Sequence, residues 1–159
     1  MERADELFLS AMEWLKDNYE EFVFFVERDI VWTLQTYIMK IIEKLELPFV
    51  LYNDHQLIPG KRADLAILDD EGVVTIAVEF KYEPSHKRTD ITPGKFPVVM
   101  WSEVEKDVLR VKEFVLCEKA KRAYAILIDE GGHFEKKQPP QGAQWIKWGN
   151  GVSILWTKV

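Results

Sequence analysis

The sequence predicts an α/β or α+β fold in which a mixed central β-sheet is flanked by helices. Amphipathic helical repeats fill the first third of the chain, and short apolar segments separated by turn residues follow them. A strongly apolar segment at 122–129 comes after a further helical repeat. A buried strand that is reached through a helix is expected to run parallel to a neighbouring strand. Because 159 residues suit one domain, we predict a single domain over 1–159.

The first two predicted elements are helices. Apolar residues at helical spacing predict a helix over 3–18. A second, longer helix is predicted from about Glu20 or Val26 to Leu45, where apolar residues recur every three or four positions. Its start is open between these two, because the segment 22–25 could instead be extended.

The predicted strands are short apolar segments bounded by turn residues. Pro59-Gly60 and the acidic turn at 69–72 separate the first three of them. In chain order, the sequence predicts strands at 49–57, 62–69, 73–83 and 122–129, and a terminal hairpin of 145–148 and 152–158.

A loop and a helix are predicted between the third and fourth strands. The loop covers 84–99 and contains several prolines. Ser102, with Glu105 three residues later, has the capping-box pattern of a helix N-terminus. We therefore predict a helix that begins after Ser102 and ends at about Ala120.

The bulk composition is that of an ordinary globular protein, with 47% hydrophobic and 30% charged residues. No apolar run approaches the roughly 20 residues that a membrane span needs, so we expect no membrane association. The acidic, amphipathic N-terminus is unlike a secretory signal. Cys117 is the single cysteine, which excludes an internal disulfide, and we expect an inert, half-buried thiol and a cytoplasmic location.

The net charge of −6 argues against a protein that coats nucleic acid over its whole surface. It leaves room for a local basic groove, since basic residues cluster around the third strand. These residues are Lys61, Arg62, Lys81, His86, Lys87, Arg88 and Lys95. The alternative interpretation is a solvated loop of mixed charge.

Three charged residues interrupt the apolar strands at 62–69 and 73–83. Asp64 lies in the first, and Glu79 and Lys81 lie on one face of the second. Ionised side chains are rare inside strands unless they are paired or bind a metal. An acid on one strand beside an acid and a lysine on its neighbour indicates a pocket for a divalent cation and a phosphate.

The oxygen ligands in this pocket are those that Mg²⁺ prefers. Asp64 and Glu79 can supply two ligands, and the backbone carbonyl of Phe80 can add a third. A bound metal would acidify a water and offset the charge that develops on the phosphoryl group. Lys81 could orient or deprotonate the attacking water, or stabilise the phosphorane, and the sequence does not choose among these roles.

Two further acids have more than one interpretation. Glu27 shares the inward face of the second helix near its start. It is a partner of the helix dipole, an ion-pair partner of Arg28 or Arg62, or another polar group at the metal site. Asp107 and Arg110 have the spacing of a surface ion pair on the third helix.

The order of these features resembles the PD-(D/E)xK superfamily of magnesium-dependent nucleases. A helix with an acid, a strand, a strand with Asp64, and a strand that ends in Glu79-Phe80-Lys81 are followed by a helix and a strand. The resemblance covers roughly 26–130. It implies a restriction-endonuclease-like αβββαβ core and metal-dependent hydrolysis of DNA phosphodiesters.

The resemblance also implies roles for residues. Asp64, Glu79 and Lys81 match the catalytic core of the superfamily, and Glu27 matches the acid of its first helix. The chain departs from the motif at Ala63, which stands where the eponymous proline would be. That proline is dispensable across the superfamily.

The leading hypothesis is a Mg²⁺-dependent DNA endonuclease in which Mn²⁺ can substitute. The sequence does not distinguish DNA from RNA as the substrate. A compact domain that cuts both strands often pairs with itself, so a homodimer is expected. The residues predicted to hold the nucleic acid are Lys61, Arg62, Lys87, Arg88 and Lys95. One alternative is a catalytically idle domain of the same fold that binds nucleic acid or protein. Another is an unrelated α/β protein in which Glu79 and Lys81 form an ion pair at a strand edge.

Overall fold

The computed structural model describes residues 2–91 and 95–159. In these residues an α+β fold combines a mixed six-stranded sheet with three α-helices, which confirms the predicted fold class. The elements are α1 (Glu2–Asp17), a 3₁₀ turn (Tyr19–Glu21), α2 (Glu27–Leu45), β1 (Phe49–Ile58), β2 (Lys61–Asp69), β3 (Val74–Glu83), α3 (Trp101–Leu116), β4 (Arg122–Asp129), β5 (Ala143–Gly149) and β6 (Val152–Lys158). From α2 to β4 the order is αβββαβ, as predicted.

The sheet has the strand order β1-β2-β3-β4-β6-β5. β3 and β4 run parallel, joined by a connection that contains α3, and this confirms the predicted crossover. The other neighbouring strands are antiparallel. The bounds of β1 to β4 agree with the predicted strands to within one residue, whereas β5 begins two residues before the predicted 145.

The two faces of the sheet pack against different helices. Phe80 is buried on the face covered by α1 and α2, where its neighbours include Phe8 and Ile30. Small residues such as Ala77 lie on the other face, against α3. Since side chains alternate along a strand, the residues on either side of Phe80 project toward α3.

Residues 22–25 belong to neither a helix nor a strand, and the backbone of Phe22 is extended, which decides between the two predicted starts of α2. The helix begins at Glu27, so a start at Glu20 is wrong. Asp29 determines this boundary, because its Oδ2 accepts hydrogen bonds from the backbone N–H of Phe25 and Val26, at 2.8 Å and 3.1 Å. A carboxylate in the first turn also interacts favourably with the helix dipole.

The predicted N-cap of α3 is wrong. The helix begins at Trp101, and Ser102 therefore lies inside it, with no side chain capping the first turn. The chain just before the helix is fixed by a residue that is distant in sequence, Glu83 at the end of β3. The buried carboxylate of Glu83 accepts hydrogen bonds from the N–H groups of Val98 and Val99, at 3.0 Å and 2.7 Å. A tertiary contact, and not a local capping motif, sets this boundary.

The end of α3 also differs from the prediction. The helix ends at Leu116 and not at about Ala120, because Glu118 adopts the left-handed conformation with φ 54°. The carbonyl of Phe114 then accepts the N–H of Lys119 at 2.8 Å, as in a helix C-terminus closed by a left-handed residue. Cys117 is exposed just beyond the helix, so the expectation of a half-buried thiol is wrong.

Part of the predicted loop at 84–99, residues 92–94, lies outside the described residues. Within 2–91 and 95–159, no helix is both long enough and apolar enough to cross a membrane.

Candidate functional site: an acidic cleft where two strands separate

The candidate site lies where β2 and β3 separate. The last residue pair at this end of the two strands joins Leu65 to Val78. Beyond it, β2 pairs only with β1, and β3 pairs only with β4. Asp64 and Glu79 are the first residues past this point, so the separation opens a gap between them.

The backbone of Phe80 faces this gap. Its N–H donates a hydrogen bond to Oδ2 of Asp64 at 2.6 Å. Its carbonyl accepts a hydrogen bond from Nζ of Lys81 at 3.3 Å. The N–H and C=O of one strand residue point to the same side of the strand. Both of these groups of Phe80 therefore point toward β2, where they meet the side chain of Asp64 and not a backbone partner.

Lys81 connects the gap to two helices. Its Nζ lies 3.0 Å from Oδ2 of Asp107 on α3 and 3.5 Å from Oε2 of Glu27 at the start of α2. Of the alternatives for Glu27, two fit the structure: its carboxylate lies beside Lys81, and it belongs to the first turn of α2, where the helix dipole favours an acid. It does not form an ion pair with Arg28 or Arg62 in the described residues.

Asp107 and Arg110 are not the surface ion pair that the sequence predicts. Asp107 is 5% exposed, and its carboxylate lies 3.8 Å from the guanidinium of Arg110. That guanidinium is closer to Glu79, whose Oε1 it approaches at 3.3 Å. Both residues belong to the cluster because α3 packs on the face of β3 that carries Glu79 and Lys81.

The cluster holds more acids than bases. It combines four carboxyl groups with one ammonium and one guanidinium group: Glu27, Asp64, Glu79, Asp107, Lys81 and Arg110. Fully ionised, it would carry an excess of two negative charges. Oδ2 of Asp107 is fully buried without a well-directed hydrogen bond, although Nζ of Lys81 lies 3.0 Å away.

Burial raises the pKa of the acids, and repulsion among the carboxylates adds to this effect for Glu79 and Glu27. Burial, and then repulsion by Asp64 and Asp107, raises the pKa of Glu79 to about 9. Burial, and then repulsion by Asp64, raises the pKa of Glu27 to about 7. Burial alone also raises the pKa of Asp64 against its hydrogen bond from Phe80. In the absence of a further cation, protons therefore neutralise part of the cluster near pH 7.

The pKa of Lys81 also rises. Burial opposes its charge, but the nearby carboxylates of Asp107 and Glu27 outweigh this effect. Lys81 is therefore a charged ammonium group at neutral pH in this arrangement. This state suits a donor of hydrogen bonds and not a base.

The cluster opens to solvent through a cleft of about 410 Å³ between α2 and the β1–β2 hairpin. Glu27 and Asp64 lie on its wall, whereas Glu79 is only 2% exposed and lies behind them. The residues that line the cleft are Glu27, Arg28, Val31, Trp32, Asn53, Asp54 and Asp64. A substrate phosphate could therefore approach the acids from this side.

The donor set agrees with the predicted metal in its chemistry. Asp64, Glu79 and the carbonyl of Phe80 are hard oxygen donors, and an excess of two negative charges matches one divalent cation. The arrangement itself is not that of a closed metal site. Among the described residues, no group of three or more His, Cys, Asp or Glu side chains is placed to hold a metal ion. Lys81 and Arg110 stand between the carboxylates and pair with them.

Two of the residues predicted to hold nucleic acid form ion pairs, and one of these pairs includes Asp54, a residue of the cleft wall. Lys61 pairs with Glu113, and Arg62 pairs with Asp54 at 3.0 Å. Both pairs are substantially exposed to solvent, and exposed pairs are weak enough to exchange for a phosphate. A role for Lys61 and Arg62 in binding DNA stays a prediction.

The other three predicted nucleic-acid residues lie on the loop after β3. Arg88 is held within the protein, by Asp90 at 2.8 Å and by Glu130 at 3.5 Å. Lys87 and Lys95 are exposed. The structure thus brings the four predicted catalytic residues, Glu27, Asp64, Glu79 and Lys81, into one cluster. The three loop residues lie outside this cluster, and their role in binding DNA stays a prediction.

The position of Asp107 in the sequence indicates that it is buried, although its spacing to Arg110 predicts a surface ion pair. It lies three residues after Val104 and four before Val111, and both valines are buried. A charged residue within the apolar stripe of a helix is the same anomaly that singles out Asp64 in a strand. The spacing to Arg110 obscured it, because i, i+3 pairs are common on helix surfaces.

Comparisons of the chain with protein-family models, with curated proteins and with solved structures find no match. The functional interpretation therefore depends on the residues of this chain and on their arrangement.

Proposed function

We propose that this protein is a Mg²⁺-dependent nuclease of the PD-(D/E)xK type that hydrolyses DNA phosphodiester bonds. The observation that carries the proposal is the gap between β2 and β3. There, Asp64, Glu79 and the backbone of Phe80 meet in a cluster that would carry an excess of two negative charges if every group were ionised. The αβββαβ order and the open cleft beside Asp64 support it.

Asp64, Glu79 and the carbonyl of Phe80 would hold the metal ion. When bound, Mg²⁺ lowers the pKa of a water and offsets charge on the phosphoryl group. Lys81 then serves as a fixed positive charge, held by Asp107, that orients the attacking water or stabilises the phosphorane. Glu27, with a pKa of about 7, lies on the cleft wall and can exchange a proton near neutral pH.

A second candidate is a catalytically idle domain of the same fold that binds nucleic acid or protein. Two observations favour it. The bases in the cluster form ion pairs with the acids. Among the described residues, no three His, Cys, Asp or Glu side chains are placed to hold one metal ion. Metal affinity distinguishes the two candidates. Calorimetry that detects no binding of millimolar Mg²⁺ or Mn²⁺, even with DNA present, would select the idle domain.

Cleavage of plasmid DNA in Mg²⁺ tests the nuclease directly. We expect Lys81→Ala to reduce the rate about 100-fold or more, since it removes a preorganised charge next to the reacting phosphate. The matched control is Lys119→Ala, an exposed lysine in the turn after α3. It should cut at the wild-type rate. Equal cutting by wild type and Lys81→Ala would contradict the proposal, and so would the absence of cutting by wild type in both Mg²⁺ and Mn²⁺.

A further inference from the structure

Trp32 differs from the other tryptophans of the chain. Its side chain is 64% exposed on α2, and no aromatic ring or cation of the described residues stacks on it. The other five tryptophans each contact another aromatic ring: Trp14, Trp101, Trp145, Trp148 and Trp156. An exposed indole without a ring partner presents a flat apolar face to a ligand.

The position of Trp32 places this face beside the acids. Trp32 lies four residues after Arg28, so the two side chains share one side of α2. Both line the 410 Å³ cleft that Glu27 and Asp64 also line. Trp32 borders an adjoining apolar groove as well, a space of about 750 Å³ between α2 and the edge strand β1. The cleft and the groove are therefore continuous across the indole.

Arg28 supplies a cation at this place. Its side chain is exposed, and it forms no ion pair within residues 2–91 and 95–159. Arg62, by contrast, is paired with Asp54, which lines the same cleft. An unpaired guanidinium presents a fork of donors that matches a phosphate.

Two amides lie where the cleft and the groove meet. Nδ2 of Asn53 on β1 donates a hydrogen bond to Oε1 of Gln35 on α2 at 3.3 Å. Asn53 lines the cleft, and Gln35 lines the groove. The bond is long and exposed, so either amide can exchange it for the edge of a base at little cost.

We propose that this surface, formed by Arg28, Trp32, Gln35 and Asn53, binds one unpaired nucleotide of the DNA substrate next to the cleavage site. Arg28 contacts its phosphate, the base stacks on Trp32, and the amides contact the edge of the base. In a duplex, neighbouring bases cover both faces of each base, so an exposed indole stacks only on a base that is unpaired. The inference rests on the proposed nuclease function, and it narrows the substrate to DNA with a single-stranded segment.

Fluorescence anisotropy of a short, labelled single-stranded oligodeoxynucleotide tests the inference. It is measured in Ca²⁺, a hard cation that also takes carboxylate oxygens. Trp32→Ala should weaken binding about 10-fold, whereas Trp32→Phe should keep most of the affinity, because stacking of one base on an aromatic ring has about this effect. The control is Leu109→Ala, which removes a side chain of the same 64% exposure on α3. It should not change binding.

Two further measurements test the phosphate contact of Arg28 and the stacking on Trp32 separately. The affinity of Arg28→Ala should depend less on salt than that of wild type, with the logarithmic slope smaller by about 0.7, the value for one phosphate contact on a single strand. A covalently closed circular duplex, which has no exposed terminal base pair, should bind wild type and Trp32→Ala equally.

The outcomes distinguish this inference from the proposed function. If Trp32→Ala binds the single strand as tightly as Leu109→Ala does, the nucleotide site is refuted. The nuclease proposal then stands, provided that wild type cuts DNA and Lys81→Ala does not. If wild type neither binds nor cuts any DNA, both are refuted.

Discussion

Replacement of Glu79 by glutamine should stabilise the metal-free protein and abolish its cleavage of DNA. The pKa of Glu79 is raised from 4.5 to about 9, first by burial and then by Asp64 and Asp107. The unfolded chain therefore releases this proton at a lower pH than the folded protein does. Between pH 4.5 and pH 9 the unfolded state binds fewer protons, so stability falls as the pH rises.

The size of the effect follows from the two pKa values. Each pH unit above 4.5 costs about 1.4 kcal/mol of folding free energy. At pH 7 this amounts to about 3 kcal/mol, and it is an upper bound because neighbouring acids titrate with Glu79. Glutamine cannot ionise, so it avoids this loss. Its carbonyl oxygen can still accept the hydrogen bond from Arg110 that Oε1 accepts at 3.3 Å.

Urea unfolding in EDTA, followed by tryptophan fluorescence at pH 5 and pH 8, measures the effect. The difference in free energy of unfolding between Glu79→Gln and wild type should be below about 1 kcal/mol at pH 5 and should grow to several kcal/mol at pH 8. The control is Glu13→Gln, at a side chain that is 70% exposed, which should change stability by less than about 0.5 kcal/mol at either pH. A difference that does not grow with pH would refute the reasoning.

Three further predictions concern the cluster and the core. Binding of Mg²⁺ at pH 7 should release protons, because the cation displaces those that Glu79 and Glu27 retain at pKa values of about 9 and about 7. Calorimetry in two buffers of different ionisation enthalpy measures this release. Asp107→Asn should lower the cleavage rate about 10-fold or more with little change in DNA affinity, since it removes the nearest anion to Lys81, 3.0 Å away. Asp5→Ala should destabilise the protein at pH 7 by about 2 kcal/mol in urea unfolding, because it leaves the basic residues that Asp5 pairs with unpartnered.

The prediction for Asp5 has a defined pH dependence. Burial would raise its pKa, but hydrogen bonds from Tyr124 and Lys158 and the charge of Arg122 lower it below 3.8. The stabilisation is therefore present above pH 3.8 and is lost as the pH falls through the folded-state pKa. A deficit of Asp5→Ala that does not diminish as the pH is lowered from 3.8 would contradict this account.

The other two predictions have their own controls. Equal heats of Mg²⁺ binding in both buffers would mean that no protons leave the cluster. For Asp107→Asn, the matched control is Asp70→Asn in the exposed β2–β3 turn, which should cut at the wild-type rate. Cutting by Asp107→Asn at that same rate would show that Asp107 does not position Lys81.

The elements of the fold could be read from local patterns. Apolar segments and the turn residues that bound them predict β1 to β4 to within one residue, because both signals lie in adjacent residues of the sequence. The start of α3 could not be read in this way. Glu83, which is 0% exposed, anchors the chain before it, and no pattern in the sequence indicates which acid meets which distant N–H.

The candidate site shows the same division. Asp64, Glu79 and Lys81 are visible in the sequence because charged residues are anomalous inside apolar strands. The spacing of Asp107 and Arg110 predicts a surface ion pair, because this spacing does not reveal which helix face meets the sheet. Only the packing of α3 on β3 brings Asp107 to within 3.0 Å of Lys81.

The sequence by itself determined the order of the elements and the acids and lysine that interrupt the strands, because both depend on patterns over a few adjacent residues. The tertiary structure decided where β2 and β3 separate, which helix closes over the gap, and how many charges meet there. Those features depend on contacts between segments far apart in the chain, such as Glu27 with Lys81. The net charge of the cluster depends on residues from α2, β2, β3 and α3 together, so no local stretch of the sequence reveals it.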